Sequence, residues 1–266
     1  MWLLLGTVLA GAITGSFLTT VIERAPNGES FLNGRSRCTR CRKRLTPLDL
    51  VPIFSFLFLR GRCRHCKAPI PRWHLAVELA TVVLFVSALL FGSERSLPDL
   101  AFVLPLLAIL LALAVIDLQT FLLPDPLVVA LAGLGLLRSV IVGAPGLGDS
   151  VLGGVAGLCL LGALALIPWR HSLPTTNYQR QTRSSAMGLG DAKLAGAMGI
   201  ILGFPSLLTA LFVAFVAGGL VAGLLVLGKR ATLKSRVPFG PFLAGATGLV
   251  LLVPQLPEAF FRLLGL

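Results

Sequence analysis

Eight apolar segments, roughly 2–22, 73–92, 98–116, 126–142, 150–168, 190–203, 206–227 and 239–254, fill most of the chain. A run of this kind satisfies its backbone hydrogen bonds as a helix inside a bilayer, and no water-soluble core of this size needs so many of them. Composition agrees, since 56% of the 266 residues are hydrophobic and only 13% are charged. That is the profile of a polytopic membrane protein. The expectation is an all-α chain of about eight transmembrane helices. It divides into a first helix (1–22), a cytoplasmic module (23–72) and a seven-helix bundle (73–266).

Charge placement sets the orientation. No Lys or Arg precedes Arg24, so the first segment lacks the basic start of a cleavable signal peptide and reads as a permanent span with its N-terminus outside. Alternation then puts loops 23–72, 117–125, 169–189 and 228–238 in the cytoplasm. The first of these holds twelve of the 23 basic residues. Arg170, Arg180 and Arg183 lie in the third, and Lys229, Arg230, Lys234 and Arg236 in the fourth. Outside remain Arg95 and Arg262. This is the positive-inside pattern. It assigns the net charge of +12 to topology, with no nucleic-acid partner. Gly11/Gly15, Gly153/Gly157, Gly199/Gly203 and Gly219/Gly223 are small-xxx-small pairs that let helices approach closely in lipid. The tail "PQLPEAFFRLLGL" reads as an amphipathic segment on the outer interface.

Four of the five cysteines form two C-x-x-C pairs, Cys38/Cys41 and Cys63/Cys66, separated by 21 residues. This spacing suits a tetrahedral four-thiolate zinc site with no open position, hence a structural one. A redox dithiol, an iron centre or no metal at all are the alternatives. A reducing cytoplasm argues against two disulfides. Arg37, Arg40, Arg42, Arg62 and Arg64 offset the charge of four thiolates, and His65 reads as a bystander. The stretch "LVPIFSFLFL" between the pairs is too short to span and reads as resting on the bilayer or the bundle. Cys159 reads as a small core residue.

Carboxylates at membrane depth are functional candidates. Asp99, Asp125 and Asp149 each have a bland reading as helix N-caps. Asp117 has none, because it ends an apolar run where the helix dipole disfavours a negative charge. Asp191 could cap the sixth segment. However, Gly188 and Gly190 before it point to a backbone that turns sharply or approaches something closely. Asp117 and Asp191 end on one side of two spans, and two carboxylates converging on a water are the apparatus of aspartic proteolysis. The helix ends would leave the shared proton on Asp117 and make Asp191 the base. Gly188, Gly190, Asp125 and Lys193 are the candidates to support this catalytic loop, although Lys193, two residues along a helix from Asp191, should not face the same way. Glu23 and Glu78 are candidates for substrate or methyl-donor binding, or for pairing with a nearby cation.

In "GSFLTTVIERAP", the two C-x-x-C pairs, "RWHLAVEL", "IDLQTFLLPD", "MGLGDAKL" and "VPFGPFLA", in that order, the chain resembles the bacterial prepilin peptidases of the G-x-G-D class of intramembrane aspartyl proteases. The resemblance makes Asp117 and Asp191 the catalytic pair and includes an aspartate at the position of Asp125. It implies cleavage of the basic leader of type IV prepilins or secretion pseudopilins on the cytoplasmic side of the bacterial inner membrane. It also implies N-methylation of the new terminus by S-adenosylmethionine. The cysteine module favours the two-step enzyme over the preflagellin type, which only cleaves. No glycine-rich methyl-donor motif is present, and the 169–186 connection is longer and more polar than usual. A proton-coupled transporter would need mid-bilayer charges and inverted repeats. A zinc-bearing scaffold would leave Asp117 without a reason.

Overall fold

The computed structural model describes the chain except residues 31–35, 39, 93–94, 168–187, 231, 233–234, 236, 264 and 266. The polar 169–186 connection and its Arg170, Arg180 and Arg183 lie outside the described residues, as do Lys234 and Arg236. Each of the eight apolar segments forms a helix. These are α1 (Trp2–Arg24), α3 (Arg72–Phe91), α4 (Leu97–Thr120), α5 (Asp125–Val142), α6 (Leu147–Leu166), α7 (Leu189–Leu202), α8 (Phe204–Leu227) and α9 (Gly240–Leu252). A short α2 (Phe54–Phe58) lies in the module, and α10 (Leu256–Leu263) ends the chain. No strand occurs among the described residues.

Among the described residues six helices, against the eight expected, are long and apolar enough to cross a membrane: α1, α3, α4, α5, α6 and α8. The number is seven if α9 and α10, bent by 100°, count as one broken span. The other short one is α7. Its 14 residues reach about 21 Å, against a hydrocarbon core of about 30 Å. It stops because Gly203 turns the chain at φ 80° and α8 starts at once. Such a half-length helix is tolerated at membrane depth only inside protein. Nine of its residues, from Ala192 to Leu202, are buried.

Missing side chains bring α7 against α6. The backbone of Gly153 meets that of Gly199, and Gly157 meets Ala195, so closely that no Cβ fits at either α6 position. On the other side of the bundle, a Cβ at Gly15 would lie 2.7 Å from the Cα of Glu78 in α3. Three of the four expected glycine pairs are packing faces. Gly219 and Gly223 are not, since nothing lies within 4 Å of a Cβ at either. Cys159, too, is exposed rather than a core residue. Because α6 turns Gly153 and Gly157 inward, Cys159 falls on its outer face. The centre is built from Leu106, Leu113 and Ile116 of α4 with Leu194, Met198 and Ile201 of α7, all fully buried.

The cap readings of three aspartates are corrected. Ser96 caps α4, accepting the Asp99 N–H at 3.3 Å. Pro124 and Gly146 are the N-cap residues of α5 and α6. Asp99, Asp125 and Asp149 therefore sit within first turns, where the dipole favours them. At the far end, α10 is amphipathic as expected. Phe260 packs on Phe212 of α8 at 5.0 Å between ring centres, while Glu258 and Arg262 face outward.

Candidate active site

Asp117 lies in the last turn of α4 and is buried. The helix ends just past it because Phe121 takes a left-handed conformation, φ 55°, with its N–H on the Asp117 carbonyl at 2.9 Å. An aromatic residue rarely adopts that conformation, and strain of this kind gathers at functional sites. The Asp117 Oδ2 atom accepts the N–H of Gly240, the first residue of α9, at 3.0 Å. A Cβ at position 240 would stand 2.7 Å from that oxygen. Glycine there is what lets the helix start close on the carboxylate.

Asp191 is the third residue of α7, whose N-cap is Gly188. The cap reading is therefore corrected: Asp191 does not cap by its own position. Its carboxylate instead reaches back to the Gly188 N–H, which is half of a capping box. Of the two reasons the glycines suggest, the structure supports close approach, since Gly188 has φ −70°. A Cβ at Gly188 would lie 3.3 Å from the Asp191 Oδ2 atom, and one at Gly190 would lie 3.3 Å from the Leu123 Cβ atom. Leu123 belongs to the connection that follows Asp117, so its contact with Gly190 draws the two acidic turns together.

Two more residues brace this end. Asp125 makes no cap hydrogen bond. Instead its two carboxylate oxygens accept from the Lys193 ammonium at 2.7 and 2.9 Å, joining the start of α5 to the start of α7. Lys193 is thus engaged by Asp125. Glu78 and Glu23 are both engaged. The Glu78 Oε2 atom accepts the Ile53 N–H at 2.7 Å, and Glu23 meets the His74 ring at 3.1 Å. Glu78 fastens the module to the bundle at a residue, Ile53, whose φ of 63° needs such a hold.

The module gathers Cys38, Cys41, Cys63 and Cys66 with all four sulfurs within 4.8 Å of one another. Cys38 and Cys66 are 3.8 Å apart. Zinc bound by four sulfurs at about 2.3 Å demands sulfurs about 3.8 Å apart, so the donor set fits a zinc ion. His65 is outside the cluster. The two knuckles repeat one hydrogen-bonding pattern. The N–H of Cys38 bonds the Lys43 carbonyl, and that of Cys63 the Ala68 carbonyl, at 3.0 and 2.8 Å. Arg42 and Lys67, each following a second cysteine, have φ of 56° and 57°. The Cys41 N–H draws the Cys38 thiol down to about 7, which makes a thiolate accessible at neutral pH. Arg64 ties the second knuckle to Asp49 at 2.7 Å. Burial alone would raise the Asp49 carboxyl. The Thr46 hydroxyl and amide and the Arg64 guanidinium outweigh burial and hold it below its usual range. Only Cys63 and Ala68 are buried among the described residues of 25–71. The apolar stretch of the module stays open, with Phe54, Leu57 and Phe58 all exposed.

The sequence reading overlooked Gly240, Leu123 and Arg138. Gly240 stood in a quoted motif, but only the fold brings position 240 to position 117.

Fold and site define a class: a multi-pass membrane protein with an interior pair of carboxylates and a four-thiolate module compatible with zinc. The chain belongs to the type IV leader peptidase family. The model of that family matches residues 104–223, and the model of the bacterial peptidase A24 N-terminal domain matches residues 9–91. A prepilin leader peptidase/N-methyltransferase of Aeromonas hydrophila is 35% identical over 94% of this chain and 91% of its own length. Proteins of the same name from Burkholderia pseudomallei (strain 1026b) and Bacillus subtilis (strain 168) are 32% and 31% identical. They cover 97% and 89% of this chain, and 87% and 89% of their own lengths. No solved structure matches the chain.

Proposed function

We propose that this chain is an intramembrane aspartyl endopeptidase. It cleaves the leader of type IV prepilins or type II secretion pseudopilins and N-methylates the new terminus with S-adenosylmethionine. Asp117 and Asp191 are its catalytic pair. The observation that carries this reading is the placement of the two acidic turns: Asp117 of α4 holds the N–H that starts α9 at 3.0 Å, and the start of α7, with Asp191, packs at Gly190 on Leu123 of the connection that follows Asp117. In the reaction, one ionised carboxylate takes a proton from water as the water attacks the scissile carbonyl. The other, protonated, donates to the carbonyl oxygen; as the tetrahedral intermediate collapses it takes that proton back, and the first carboxyl passes the proton it took from water to the leaving amine. Gly240 fixes the Asp117 carboxylate through its Oδ2 atom, and the Gly188 N–H holds that of Asp191.

Basic-residue placement supports the orientation: N-terminus outside, module and carboxylates facing the cytoplasm of the bacterial inner membrane. The division into 1–22, 23–72 and 73–266 follows. A bound zinc would be structural, holding the two knuckles together through Cys38, Cys41, Cys63 and Cys66. The methyl-donor role rests on the names of the relatives. Glu23 and Glu78, already engaged by His74 and the Ile53 N–H, read as module anchors. The test is cleavage of a full-length prepilin by the protein in liposomes. Asp117→Asn and Asp191→Asn should each abolish it, and substantial cleavage by either would overturn the reading.

A further inference from the structure

At the end of the bundle away from Asp117, three charged side chains are buried together. Arg138 of α5 donates from Nε to Oδ1 of Asp99 at 2.6 Å and from Nη1 to the Ile201 carbonyl at 3.3 Å. Arg95, just before α4, lies 3.6 Å from the other oxygen of Asp99 and donates from Nη2 to the Leu251 carbonyl. These three side chains are only 9–10% exposed. Ile201 and Leu251 are the penultimate residues of α7 and α9.

Those two helices are the short ones, and they share one difficulty. Each of them reaches only about 20 Å from the acidic end, so its last carbonyls stop at a depth where water does not serve them. One guanidinium reaches each terminus. The charges also balance: Arg95, Arg138 and Asp99 sum to +1, against about half a negative charge at each helix end. Meanwhile α7 and α9 present Asp191 and Gly240 on their first turns. Asp99 and Asp117 lie on the same helix, 18 residues apart, or about 27 Å. Helix α4 therefore acts as a ruler, holding the far ends of both short helices through Asp99 and meeting their near ends at Asp117.

We propose that Arg138 and Arg95, bridged by Asp99, are positioning residues that set the depth of α7 and α9 and thereby hold Asp191 and Gly240 against Asp117. This inference rests on the catalytic reading of Asp117 and Asp191. A helix is stiff along its axis, so releasing its C-terminal end lets its first turn slide, and a displacement of about 1 Å can cost roughly 100-fold in rate. A purely stabilising role is a poor account of the cluster, because buried ion pairs rarely stabilise more than apolar residues of the same volume.

The test uses the full-length, zinc-loaded protein in liposomes, cleaving a full-length prepilin well below each variant's melting temperature. Arg138→Gln should lower kcat by roughly 100-fold with KM for prepilin nearly unchanged. It should also alter the spacing between the two limbs of the pH–rate profile, because the coupling of two carboxylates depends on their separation. Arg138→Lys, keeping one donor and the charge, should recover part of kcat. If Arg138→Gln fails to fold, Arg95→Gln and Asp99→Asn give the same readouts. Wild-type kcat with an unaltered profile would overturn the proposal. So would a loss explained wholly by a smaller folded fraction with the profile unchanged. Activity in Asp117→Asn or Asp191→Asn would instead sink the catalytic reading, so the two failures are distinguishable.

Discussion

The Gly240 amide donates to the Asp117 carboxylate at 3.0 Å, across 123 positions of sequence. The start of α9, the positive end of its dipole, therefore faces a carboxylate that also sits at the negative end of α4. Gly240→Ala would place a methyl 2.7 Å from the acceptor oxygen and push the two helices apart. We predict a loss in kcat of about 100- to 1,000-fold, the usual consequence of losing one fixed N–H donor in a reaction centre. Single-turnover cleavage of a liposome-bound prepilin would measure it. Near-wild-type kcat would show that the contact is dispensable.

A pair of carboxylates sharing one proton should give a bell-shaped pH dependence of kcat/KM. Below the acid limb both carboxyls are protonated and no base remains. Above the alkaline limb both are ionised and no donor remains. A monotonic profile over the range where the protein stays folded would count against the paired mechanism.

The ion pair between Asp125 and Lys193 is exposed, with side-chain exposures of 64% and 50%. Exposed pairs contribute about 0–1 kcal/mol. Asp125→Asn and Lys193→Met should each keep most of the activity, within about fivefold, and the double variant should lose no more than either single one. A thousandfold loss from Asp125→Asn alone would instead give that aspartate a chemical role.

Purified protein should hold about one zinc per chain. Cys38→Ser or Cys63→Ser should open residues 36–70 to limited proteolysis while cleavage of prepilin declines less. Glu78→Gln should loosen the same segment with zinc retained, because only the hold on the Ile53 N–H weakens. Metal-free protein with an equally protected segment would rule out the zinc site.

Where α6 and α7 touch through backbone, Gly153→Ala and Gly199→Ala should each cost about 1–3 kcal/mol or more through overpacking. Gly219→Ala, facing open space, should fall within about 0.5 kcal/mol of wild type. Thermal unfolding in matched detergent would compare them, and equal effects at all three positions would contradict the packing.

Much of this was legible from residue order, and the rest was hidden for physical reasons. Hydropathy located every helix of the bundle, because helices in lipid are written as apolar runs. Eight spans were expected, and six or seven helices among the described residues are long and apolar enough, because an apolar run such as 190–203 looks the same whether it faces lipid or is wrapped in protein. Asp117 stood out because it offended a local rule. Asp99 and Asp125 satisfied one, and so concealed their ion pairs with Arg138 and Lys193. Helix-end reasoning gave Asp117 a single dipole, since the second belongs to α9 and arrives only through packing.

The near absence of burial in the cysteine module, where only Cys63 and Ala68 are covered among the described residues, has a thermodynamic consequence. A segment with no apolar interior cannot order itself by leaving water, so its folding becomes a binding isotherm. With zinc as the ligand that the four thiolates fit, stability of the ordered module would rise with the logarithm of the ratio of free zinc to its dissociation constant. The bundle has no such dependence. One chain would then carry two stabilities of different kinds, one set by its own packing and one set by the ionic composition of the compartment around it.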